Sequence, residues 1–165
     1  MENIPIPSPK AKTSPKDFFL HLLSIVMLYA SAIAFTTLIF QYINLLIPDI
    51  VVGGYWYPDG IKSLARGALA TLIVVFPVYV WVNWFLNKEY IKNPEKRDLR
   101  IRKWLLYFTL FIAAIVIVVD FVTLVRSFLE GELSLRFLYK VLAVGFVAGS
   151  IFGYYLTDIK KSKTE

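Results

Sequence analysis

Apolar residues run along this chain in four long blocks separated by short polar punctuation. The blocks extend from Phe18 to Ile47, from about Ile61 to Leu86, from Trp104 to Val125 and from about Ser134 to Thr157. Each reaches or exceeds the ~20 residues that carry a helix across ~30 Å of hydrocarbon. The pattern predicts helices over about 15–47, 61–86, 94–128 and 134–157. The first is longer than the bilayer requires, since Phe18 to Ile47 rises ~45 Å, so it must tilt or project.

The punctuation agrees with those blocks. Ser14, Pro15 and Asp17 make a helix start in which Ser14 caps, Pro15 opens the first turn and Asp17 lies three residues beyond the cap. Pro48 and Asp49 close the first helix, and Gly53, Gly54, Pro58 and Gly60 around Tyr55, Trp56 and Tyr57 suit a loop resting among lipid headgroups. Pro77 removes a backbone hydrogen bond and predicts a bend in the second helix. Asn93 and Pro94 read as the cap and first residue of a long third helix, and Glu130, Gly131 and Glu132 as the turn into the fourth. Residues 1–13, with Pro5, Pro7, Pro9, Lys10 and Lys12, are expected to form a disordered cytoplasmic tail, and 160–165 a basic C-terminal tail, around one domain over 14–159. The first apolar run is far longer than the ~7–15-residue core of a cleaved signal peptide. Short links between helices make an up-down-up-down bundle the simplest topology.

Composition points to lipid as the solvent. Of 165 residues, 58% are hydrophobic, against ~45–50% in ordinary soluble chains. A soluble domain of this size has too little interior to hide that surplus. The absence of cysteine removes disulfides, thiolate metal sites and thiol nucleophiles. The net charge of +6 would suggest nucleic acid if it were not placed beside the apolar blocks. Lys10, Lys12, Lys16, Lys88, Lys92, Lys96, Arg97, Arg100, Arg102, Lys103, Lys160, Lys161 and Lys163 fall in the tails and the middle linker, while Lys62, Arg66, Arg126, Arg136 and Lys140 flank the other two turns. The positive-inside rule then sets both termini in the cytoplasm. Trp81, Trp84, Trp104, Tyr107, Tyr154 and Tyr155 would mark the inner boundary, and Tyr55, Trp56 and Tyr57 the outer one.

Several runs resemble a known family: Phe40 to Asn44, Asn93 to Arg97, Arg100 to Trp104, and Gly131, Glu132 and Leu133 with Arg136 and Phe137. Together they are similar to the DUF5671 family of small bacterial four-helix membrane domains, over nearly the whole chain from Ser14. The resemblance implies the fold and a bacterial plasma (inner) membrane, and implies no activity.

One polar layer stands out. At 1.5 Å per residue, Gln41, Asn44, Arg66, Asp120 and Lys140 fall at similar depth toward the outer boundary, one or two from each helix. An ionised group within the bilayer costs ~2.5–3.5 kcal/mol on insertion scales, so Asp120 is expected to turn inward toward Arg66 or Lys140. Two readings follow: an outward-facing pocket for an anion, a lipid headgroup or a proton, or an interhelical hydrogen-bonding staple at Asp120 with Arg66 and Lys140 snorkelling to the headgroups.

Gly145, Gly149 and Gly153 repeat at four-residue spacing, as do Ala30 and Ala34, and such rows let helix backbones approach, within the molecule or between two copies. Packing within the bundle is the simpler account. Lys96, Arg97, Arg100, Arg102 and Lys103 form a basic collar that would attract anionic headgroups by ~1 kcal/mol per charge. His21 is the sole histidine, too few ligands for haem or metal, and Ser24, Ser31 and Ser150 have no neighbouring base. The sequence thus predicts an all-α polytopic membrane protein without catalytic residues, cofactor, metal or nucleic-acid partner. It reads as a structural, accessory or assembly component meeting lipids and a membrane-protein partner or a second copy. The competing reading is a small transporter or lipid-binding protein centred on the polar layer.

Overall fold

The computed structural model describes residues 14–47, 58–131 and 134–164. The expectations for the tail over 1–13, the aromatic loop at Tyr55, Trp56 and Tyr57, and Glu132 lie outside these residues. All of the described secondary structure is helical: α1 (Pro15–Leu46), α2 (Pro58–Lys92), α3 (Arg100–Leu129) and α4 (Leu135–Thr164), with a short 3-10 turn at Pro94–Asp98 between α2 and α3.

Helix α1 starts as its first residues dictate. The Ser14 hydroxyl accepts a bond from the Asp17 amide at 3.1 Å, and the Asp17 carboxylate takes the Ser14 amide and hydroxyl, which closes a reciprocal cap. Helix α2 begins three residues before the expected Ile61, because Pro58 suits the first helical position and Asp59 the positive end of the dipole. It stays helical through Pro77 and continues past Leu86 to Lys92.

The third helix differs more. Instead of running on from Pro94, the chain makes a 3-10 turn, and Leu99 adopts φ −56° and ψ 132°, outside the helical range. That break lets Leu99 bury to 2% exposure, and α3 starts one residue later. Helix α4 runs beyond Thr157 to Thr164, because Asp158 and Ile159 both have partners inside the bundle. At the other end of α3, Gly131 at φ +72° supplies the left-handed residue that ends the helix.

Helix α1 is the shared element, packed along α2 and touching α3 and α4, while α3 packs along α4. Ile25, Leu105, Leu106, Tyr155 and Ile159 form a core cluster, to which Leu28, Tyr29 and Ile101 add partly buried contacts. Elsewhere the apolar surface faces outward. Ile33, Ile73, Phe111, Val118 and Phe146 are each more than 60% exposed, and the most apolar stretch of each helix is only 6–22% buried. Water does not tolerate apolar patches of that extent on a monomer, whereas hydrocarbon does. All four helices are long and apolar enough to cross a membrane.

Candidate functional site

The described polar side chains concentrate where the start of α1, the end of α2, the start of α3 and the end of α4 meet. On α1, Asp17, His21 and Ser24 follow one another at four- and three-residue spacing, so they share a face. The His21 Nδ1 lies 2.6 Å from the Asp17 carbonyl oxygen, which only accepts, so Nδ1 carries the proton. In the neutral ring Nε2 therefore accepts, and the Tyr90 hydroxyl of α2 donates to it at 2.6 Å. The Arg102 guanidinium of α3 lies over the Tyr90 ring, 5.3 Å from its centre, and its Nη2 meets Asp158 Oδ2 of α4 at 2.6 Å. Arg102 is 7% exposed, and a buried guanidinium requires such a counterion.

A second strand of bonds runs beside the first. Ser24 donates to Asn83 Oδ1 at 3.2 Å, and the Asn83 amide nitrogen donates to the Tyr79 carbonyl at 2.8 Å. Between them lies a cavity of about 70 Å³ lined by His21, Ser24, Asn83, Tyr90, Arg102 and Asp158, among others. The Ser24 hydrogen is committed to an amide oxygen, which takes up no proton, so this serine has no base. Both His21 nitrogens are engaged, and the described residues contain no group of three His, Cys, Asp or Glu side chains placed to hold a metal.

The linker closes over this end. Lys96 reaches Glu89 at 2.8 Å and Asp17 at 3.3 Å, joining the 3-10 turn to α2 and α1. The hydrogen bond to Glu89 is the main cause that holds the Lys96 ammonium above its ordinary pKa of 10.5. Two members of the expected collar thus pair within the chain: Lys96, at the surface, binds two carboxylates, and Arg102 is buried on Asp158. Arg100 and Lys103 stay exposed, and the Arg97 side chain lies outside the described residues.

The five residues of the outer polar layer do not converge on one pocket. Asn44 donates to Gln41 at 3.1 Å and receives the Arg136 guanidinium of α4 at 2.9 Å, a partner that the depth argument did not include. Lys140 lies over the Phe40 ring at 5.5 Å. Asp120 is half-buried and makes no hydrogen bond or ion pair among the described residues, and its Oδ2 stands 3.4 Å from where a Cβ on Gly145 would lie. Arg66 is exposed on α2.

The small-residue rows divide as well. Ala34 and Ala148 are buried and Gly145 sits against α3, so these serve close packing. Ala30 is half-buried. Gly149 and Gly153 are exposed with open space beside them, because the residues facing inward on that part of α4 are Ala148 and Tyr155.

The residues that sequence reasoning passed over are Tyr90, Asn83 and Asp158, together with His21 as a hydrogen-bonding residue. The available signal was the spacing of Asp17, His21, Ser24 and Ser31, a polar stripe along an otherwise apolar helix.

Four long apolar helices, each long and apolar enough to cross a membrane and tied at one end by a buried polar network, define an all-helical domain. The chain belongs to the family described as domain of unknown function DUF5671, whose model matches residues 17–155. No curated relative and no solved structure matches it.

Proposed function

We propose that this chain is a multi-pass protein of a bacterial plasma membrane, threading four helices up, down, up and down with both termini in the cytoplasm, and serving as a non-catalytic accessory or assembly component. The observation that carries the reading is the network from His21 through Tyr90 and Arg102 to Asp158, which draws one group from each helix. Its hydrogen bonds are satisfied within the molecule, as in a device that fixes four helices together. The described Lys- and Arg-rich stretches, 88–103 and 160–163, lie at the same end, which is the cytoplasmic one by the positive-inside rule. The exposed Arg100 and Lys103 are there to meet anionic headgroups or the flank of a partner protein.

Because the chain has no cysteine, single cysteines report topology directly. An Asp49→Cys variant should react with a membrane-impermeant maleimide in intact cells, and a Lys163→Cys variant only after permeabilisation. The opposite pattern overturns the topology. Affinity purification of the full chain in mild detergent addresses the role: a stoichiometric membrane partner is expected, and turnover of a substrate by the purified chain would defeat the accessory reading.

A further inference from the structure

The cations of the His21 end fall into two groups. Lys96 and Arg102 meet Asp17, Glu89 and Asp158. Lys16 of α1 and Lys88 and Lys92 of α2 are exposed, and their ammonium groups make no ion pair or hydrogen bond among the described residues. Glu89 lies within electrostatic reach of Lys16 but is already bonded by Lys96 and Asn93. Two of the three ammonium groups lie over aromatic rings instead: Lys16 Nζ is 5.1 Å from the centre of Phe85, and Lys88 Nζ is 5.2 Å from the centre of Trp84. A ring face attracts a cation without neutralising it, so the charge and the N–H donors stay available. Phe85 and Lys88 are three residues apart and therefore neighbours on α2, so ammonium groups from two helices border one patch. The patch runs on into apolar surface. Val74, Trp81 and Lys88 follow at seven-residue spacing and share a line along α2, Val74 and Trp81 are 66% and 60% exposed, and Trp81 stacks on Phe85 at 6.2 Å.

We propose that this seam of α1 and α2 binds an anionic phospholipid, with the phosphate between Lys16 and Lys88 and an acyl chain along Trp81 and Val74. The site rests on the membrane reading above and is separate from Arg100 and Lys103 on α3. Charge sets the head. Lysine meets phosphate as a point charge with three rotatable donors, and Lys92, ~6 Å further along α2 than Lys88, adds to the same field. A zwitterionic head would bring a cation of its own against these lysines. Continuity sets the source of the phosphate. The two ammonium groups stand where the apolar surface of α2 gives way to polar residues, and Trp84 beside them is the residue type that favours the headgroup level. A lipid phosphate at that level has its own chains beside Trp81 and Val74, so head and tail are satisfied by one molecule. Free phosphate or an acidic protein segment would use the lysines and leave that apolar line to other molecules.

Native mass spectrometry of the full chain, released into mild detergent from nanodiscs of equal phosphatidylglycerol and phosphatidylcholine, tests this. The parent should retain phosphatidylglycerol over phosphatidylcholine at least fivefold. Lys16→Gln with Lys88→Gln should abolish that preference while the thermal midpoint stays near that of the parent, and arginine at both positions should preserve it. Lys88→Gln with Lys92→Gln, which leaves α1 untouched, should weaken it in the same direction. Arg100→Gln with Lys103→Gln should retain most of it. Equal retention of the two lipids by the parent overturns the proposal, as does an undiminished preference in whichever of the two glutamine variants of the seam folds. A loss in the Arg100 and Lys103 variant as large as in the Lys16 and Lys88 variant overturns it too, by moving the site to α3. Suppression by excess inorganic phosphate would show a site for the free ion and overturn the lipid. A chain that stays soluble without detergent defeats the membrane reading and the site together, whereas in a chain that requires detergent the other outcomes bear on the site alone.

Discussion

At one end of the bundle His21, Tyr90, Arg102 and Asp158 come from four different helices and enclose a cavity, whereas at the other Gln41, Asn44 and Arg136 come from two helices and are only half-buried. The contrast shows where the fold gains its specificity. Hydrocarbon does not distinguish one apolar helix face from another, so the choice of neighbours rests on shape and on polar groups that must find each other. The His21 end makes that choice for all four helices, and the Asn44 end, among the described residues, joins α1 to α4.

The largest effect should follow from breaking the ion pair. Arg102→Met leaves Asp158 partly buried without its counterion and should lower the unfolding free energy in mild detergent by ~3 kcal/mol, the low end of the range for buried pairs. Adding Asp158→Leu should recover most of that loss. A loss from Arg102→Met below ~1 kcal/mol would mean that the His21 end is no stiffer than the rest. Arg136→Leu is expected to cost only ~1 kcal/mol by the same measurement, the usual size of an interhelical polar contact in a membrane. Should it cost more than Arg102→Met, the ranking of the two ends reverses.

The smallest effect concerns Lys96 and high pH. Its folded pKa is raised, so its contribution to stability is complete below 10.5 and is lost as pH rises through the higher folded value. Lys96→Met should therefore lower stability by ~0.5 kcal/mol at neutral pH, and parent and variant should converge above pH 10.5. Parallel curves through that range would show that the two carboxylate contacts of Lys96 contribute nothing.

The helices were legible in the sequence because the apolar blocks are long and their boundaries carry Pro, Gly and a capping serine. The network at the His21 end was not, for two physical reasons. Charged residues beside an apolar block are already required by topology, so Arg102 read as one of several headgroup cations rather than as half of a pair. Helix ends drawn where hydropathy falls, at Leu86 and Thr157, left Tyr90 and Asp158 outside the helices that place them. Hydropathy measures solvent preference, and an α-helix continues as long as its side chains find partners. At the other end the depth argument found Gln41 and Asn44, which do bond, but depth fixes height and not azimuth. It therefore could not tell that Arg136 would reach Asn44 while Arg66 faces away from the bundle.

The pairing of Arg102 with Asp158 also orders events during synthesis. The two residues are 56 positions apart, and the acidic one leaves the ribosome last. Until then the nascent chain holds nearly all of its four apolar segments and a guanidinium that lacks its Asp158 carboxylate. A reading frame stopped before Asp158 would keep nearly all of the hydrophobic sequence, yet its product would lack the anion that completes assembly.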